Sequence, residues 1–115
     1  VWIDYLDGSR VKIARAGNPN FQRSYDAALK PHIRKQREGT LATEIELKCL
    51  CSAMAGTILM DWEGFTDGGK ALKFDKKVAV KLLINHIDFR TFVADNAAEG
   101  QNFFAEVSEE AEKNS

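Results

Sequence analysis

The chain has 115 residues, of which 44% are hydrophobic and 29% charged, and its formal net charge is −1. That length suits one domain that buries roughly two thirds of its unfolded surface without a metal or a disulfide, and no apolar run nears the roughly 20 residues of a membrane-spanning helix. The opening VWIDYLDG has neither a basic start nor the apolar stretch of a signal peptide, so secretion is not expected.

VWIDYL and SRVKIAR alternate in the β sense around Asp7-Gly8, which predicts a β-hairpin. Val1, Ile3 and Tyr5 share one face with Val11 and Ile13, and because a lone hairpin is marginal in water, that face needs a cover. Asn18-Pro19 then starts a helix: Asn accepts from a free amide, and Pro tolerates the first helical position. Phe21, Tyr25, Leu29 and Ile33 recur every four residues as an apolar stripe, with Arg23, Lys30, Arg34, Lys35 and Arg37 supplying positive charge. Pro31 should bend or interrupt this helix, and Gly39 should end it.

Thr43-Glu-Ile-Glu46 has the capping-box pattern. The stretch from Leu47 to Met60 is apolar nearly all round, with Glu44, Lys48 and Ser52 leaving a thin polar strip, so it is expected to be the central helix. Gly56 inside it suggests close approach by another element. The two cysteines, Cys49 and Cys51, point about 200° apart on such a helix and read as small buried apolar residues in a reducing compartment. DWEGFT and DGGKALKF form a connection rich in Gly and Asp. Asp75 is placed to cap a helix ending near Asn85-His86, and Asp88 to cap a last helix carrying Phe89, Phe92, Val93, Ala97, Phe103, Phe104 and Val107, with Gly100 as a flaw. The tail from Ser108 is polar and acidic. The sum is a mainly α (α+β) domain: an N-terminal hairpin followed by about four helices.

No reaction chemistry stands out. His32 and His86 are far apart and lack a neighbouring catalytic pattern. Asp61, Glu63 and Asp67 resemble part of a calcium loop, but Phe65 occupies a ligand position and the closing glutamate is missing. Gly64, Gly68 and Gly69 lack the Gly-Lys-Ser/Thr ending of a phosphate loop. Charge is uneven: residues 1–40 carry 8 Lys/Arg against 4 Asp/Glu, and residues 41–115 carry 8 against 13. This polarity suits head-to-tail self-association or a charged partner. The basic segment 23–37 offers phosphate contacts, yet the whole chain is slightly acidic and its aromatics sit at core spacing, so nucleic acid is not the preferred partner. For Trp62, between Asp61 and Glu63, packing at a joint after the central helix is preferred over an exposed anchor for a partner protein. Of Phe103 and Phe104, which face different ways on a helix, one should pack in the core and the other is a candidate subunit contact.

The order of these features resembles the tail assembly chaperones of long-tailed, siphovirus-type bacteriophages. VWIDYLDGSRVKIAR, the Asn-Pro-led basic helix, the apolar helix running into DWEGFTDGG, KFDKKVAVKLL and FRTFVADNAAEGQNFFAE together carry the resemblance, and WEGFTD followed by the FRTFV helix is its most specific part. The resemblance implies a host-cytoplasmic protein that binds the tape-measure protein, keeps it from aggregating, helps recruit tail-tube subunits, and is absent from the finished virion. It implies no cofactor, no metal and no reaction. It also implies two products, the longer made by ribosomal slippage; Lys113-Asn114 is compatible with a slippery codon pair in the short form. Candidate partner contacts are Trp62, Phe65, Phe103, Phe104, Arg34 and Arg37. The alternatives are a nucleic-acid-binding regulator using segment 23–37 and a small enzyme, against which the missing catalytic constellation counts.

Overall fold

The alternating first segment folds as strands β1 (Trp2–Asp4) and β2 (Arg10–Ile13), paired antiparallel with Trp2 opposite Lys12 and Asp4 opposite Arg10, in a computed structural model that describes residues 1–103. Between the strands, a turn at Leu6–Gly8 holds Asp7 at φ 53° and Gly8 at φ 78°, left-handed conformations that Asp and Gly tolerate. Ser9 is buried, and its hydroxyl donates to the Leu6 carbonyl. Val11 and Ile13 are fully buried while Arg10 and Lys12 face solvent, as a period of two requires.

The hairpin is widened by a third strand that sequence reading misses, and the helix Ile87–Ala98 packs against its second strand. Strand β3 (Leu59–Glu63) pairs antiparallel with β2, Val11 opposite Trp62, to give the order β1-β2-β3. The central helix α3 (Thr43–Met54) therefore ends before Met60, and Gly56 lies in the turn after it rather than inside it, at φ 87°. Only the tip of the Lys76 side chain would meet a Cβ there, so Gly56 serves the turn and not close packing. An apolar run has no period with which to tell strand from helix, and here pairing with distant β2 decides.

Helix α1 (Pro19–Leu29) begins as expected: the Asn18 Oδ1 accepts from the Phe21 amide at 2.9 Å, and the Asn18 side-chain amide donates to the Thr57 carbonyl at 3.1 Å, tying this start to the turn after α3. Pro31 interrupts the helix with a 3-10 turn (Lys30–His32). A short α2 (Ile33–Glu38) follows, ended by Gly39 at φ 72°. The interruption rotates Ile33 off the buried stripe and leaves it 42% exposed, whereas Leu29 packs inward. The capping box does not form, because α3 starts a residue early: Ala42 is the N-cap and Thr43 is already helical.

Gly68-Gly69 joins the short strands β4 (Thr66–Asp67) and β5 (Lys70–Ala71). Helix α4 (Lys76–Asn85) starts after Asp75, which occupies the N-cap position without a side-chain bond. Helix α5 (Ile87–Ala98) follows after the single residue His86, so Asp88 falls within its first turn instead of capping it. Arg90 stabilises this corner by donating from Nη1 to the Leu83 carbonyl at 2.9 Å and to the Ile84 carbonyl at 3.3 Å. α5 stops at Ala98, so Gly100 lies past its end and opens a 3-10 turn (Gly100–Phe103) rather than flawing a longer helix. Phe104, Val107 and the acidic tail lie outside the described residues.

α3 packs against α1 on one side and α4 on the other, with α5 against α4 and β2. Val11, Ile13, Cys51, Met54, Leu59, Leu83, Val93 and Phe103 are the largest fully buried side chains of the core. With α1 and α2 counted as one interrupted helix, the architecture is the expected α+β arrangement of an N-terminal hairpin and four helices, the sheet extended by β3. Among the described residues, no helix is long and apolar enough to cross a membrane.

Candidate functional site

Strand geometry answers why a tryptophan stands between two carboxylates. Trp62 points inward and is 4% exposed, while Glu63 points outward and meets Arg10 across the β2–β3 pair at 2.7 Å. The Arg10 guanidinium holds the Glu63 carboxyl below its ordinary value of 4.5, and Glu63 in turn raises Arg10. Asp61 Oδ1 accepts from the Trp62 backbone amide at 2.8 Å. The indole Nε1–H donates to the Leu72 carbonyl at 2.8 Å, fastening β3 to the segment after β5.

From Trp62 a chain of rings leads outward. Phe65 stacks on the indole at 5.0 Å with 12° between planes, and Phe74 meets the indole edge-on at 4.8 Å. Phe65 also lies 5.7 Å from Phe89 and 6.3 Å from Tyr5, whose ring is 4.6 Å from Phe92. These contacts draw the hairpin turn, the β3–β4 joint and the α4–α5 corner into one wall. Gly64 makes the joint possible: it sits at φ 82°, and a Cβ there would lie 2.9 Å from Ser9 Cα.

The three segments enclose an open cleft of about 630 Å³. Tyr5, Phe65 and Phe89 contribute aromatic surface, and Leu72 and Leu82 add aliphatic surface. Leu6, from the hairpin turn, is 65% exposed and Ile87, from the α4–α5 corner, is 64% exposed; both line the cleft, and they are the two most exposed large apolar side chains among the described residues. Asp7 and Asp88 line it beside His86, with no lysine or arginine. Volume and lining match a site for a few apolar side chains of a partner, with acidic groups to meet cations flanking them.

The sequence-derived candidates separate on this structure. Phe65 lines the cleft, and Trp62 lies behind it as support. Phe103 is 1% exposed and packs in the core. Arg34 and Arg37 are exposed on α2, outside the cleft, where Arg34 Nε meets Glu38 at 3.3 Å. Phe104 lies outside the described residues. Leu6, Ile87, Tyr5 and Phe89 are cleft residues that sequence reading did not single out. The available signal was an apolar residue in each of two turns, Leu6 before Asp7-Gly8 and Ile87 between His86 and Asp88.

Cys51 is fully buried, and burial pushes its thiol up, with Arg90 opposing. Cys49 donates to the Ala28 carbonyl at 3.4 Å, joining α3 to α1. Both are free thiols used in packing.

A family model described as YdaY prophage protein matches residues 16–114. Searches of curated proteins and of solved structures give no match to the chain.

Proposed function

The chain belongs to the YdaY prophage protein family, and on that premise we propose that it is a phage tail assembly chaperone. It binds the tape-measure protein in the host cytoplasm, keeps that protein's apolar helices from aggregating, helps bring tail-tube subunits to it, and leaves before the virion is complete. Phage origin supports this reading, and so does the likeness of the motif order to such chaperones. The observation that carries it is the cleft, where Leu6 and Ile87 stand exposed over the aromatic surface of Tyr5, Phe65 and Phe89. Exposed apolar surface of this kind is kept at a cost to solubility, which contact with a partner offsets. The role makes and breaks no bond.

Co-expression with the tape-measure protein tests the proposal. The partner should move from the insoluble to the soluble fraction and co-purify with this chain. A tape-measure protein that stays insoluble beside folded chaperone would overturn it. A second reading, a nucleic-acid-binding regulator, draws on the exposure of Arg34, Lys35 and Arg37 on α2. Salt-sensitive retention on DNA, lost in Arg34→Glu/Arg37→Glu while tail assembly continues, would favour it.

A further inference from the structure

The cleft is acidic at its charged positions, and the arm ending in α2 is basic. Asp7 and Asp88 line the cleft, whereas residues 30–38 carry Lys30, Arg34, Lys35 and Arg37 against Glu38 alone. The main packing partner of α2 is the turn before it, so its sides are largely open. At its first position it bears Ile33, an exposed apolar side chain within the basic stretch. None of the arm's residues lines the cleft of its own chain.

We propose that the cleft takes the α2 arm of a second copy of this chain. Ile33 enters between Leu6 and Ile87, and Arg34 and Arg37, three residues apart and so neighbours on the helix surface, meet Asp88 and Asp7. Apolar anchor and cations on one side match apolar cleft and carboxylates on the other, the pairing that sets orientation and partner choice at interfaces. Six helical residues span about 9 Å, so α2 presents one short anchor and not a long ridge. Because arm and cleft are different surfaces, each copy offers an arm and receives one, and the rotation between copies decides whether the assembly closes or extends. It also fills the surface assigned above to the tape-measure protein. Self-assembly and client capture therefore compete, and an arriving client releases subunits from the assembly. The competition rests on the proposed function, while the contact between copies is tested without any client.

Light scattering after size exclusion provides the test, with wild type, Arg34→Glu/Arg37→Glu, Asp7→Asn/Asp88→Lys, and an equimolar mixture of the two variants. Asn replaces Asp7 because it tolerates the left-handed backbone there, and circular dichroism checks that each variant is folded. Wild type should exceed its 12.9 kDa chain mass increasingly with concentration at low salt and return to it at high salt. Each variant should be monomeric at low salt. The mixture should recover pairs, because one variant keeps an intact arm and the other an intact cleft. Wild type that is monomeric at every salt and concentration, association kept by both variants, or a mixture that stays monomeric would overturn the proposal. Tape-measure capture by the arm variant, whose cleft is intact, reports separately on the proposed function.

Discussion

Replacing Gly64 with alanine tests how the cleft walls are joined, and Gly69→Ala supplies a matched control. Both glycines have φ 82°, but a Cβ at Gly69 meets nothing within 4 Å, whereas at Gly64 it would lie 2.9 Å from Ser9 Cα and 3.3 Å from the Gly8 carbonyl oxygen. Left-handed backbone costs an alanine about 1–2 kcal/mol at either site. Overpacking adds about 1–3 kcal/mol at Gly64 alone, since the obstructing atoms belong to backbone held by the buried Ser9 and its bond to Leu6. The two variants gain the same entropy benefit from a stiffer unfolded chain, so it cancels. Urea unfolding should place the midpoint of Gly64→Ala about 1 M below that of Gly69→Ala, taking a slope of about 2 kcal/mol/M and a difference of about 2 kcal/mol. Equal midpoints would show that the β3–β4 joint does not press on the hairpin turn and that Gly64 does not hold the cleft wall together.

The Trp62→Phe variant removes the donor to the Leu72 carbonyl, and leaving that acceptor unpaired should cost about 1–3 kcal/mol in thermal or urea unfolding; a loss under about 0.5 kcal/mol would mean that the indole is not fastened there. Glu63 has a carboxyl held below 4.5 by Arg10, so its contribution is present above that value and is lost as the pH falls through the folded pKa. Wild type and Glu63→Gln should accordingly differ in midpoint at neutral pH and converge in acid, and a gap unchanged down to pH about 2 would contradict the pairing.

Short-range signals made part of this fold legible. The hairpin announces itself by Asp7-Gly8 between two runs of period two, the second setting Val11 and Ile13 in alternation with Arg10 and Lys12, and Asn18-Pro19 marks the start of α1 because capping is chemistry within four residues. Pro31 and Gly39 punctuate the arm for equally local reasons. Strand β3 escaped because Ile58 to Met60 continues the apolar character of α3, and only pairing with β2, far back in the chain, makes it a strand. The capping box escaped because helix ends shift by a residue at little cost, and Asp88 was misplaced for the same reason. At the site, Phe65 was legible as an aromatic beside a loop. Leu6 and Ile87 were not, because their importance lies in the meeting of the hairpin turn with the α4–α5 corner, which no local pattern encodes.

The affinity of the tape-measure protein for wild type and for Leu6→Ala/Ile87→Ala shows whether the cleft holds the client. Each side chain has about two thirds of its surface available for a partner to cover, and full burial contributes about 1.5–3 kcal/mol, so the double variant should lose about 2–4 kcal/mol of binding. That is a roughly 30- to 700-fold rise in Kd, with unfolding stability nearly unchanged because both positions are exposed in the free protein. An unaltered Kd in the folded double variant would contradict the assignment of the cleft as the surface that holds the client.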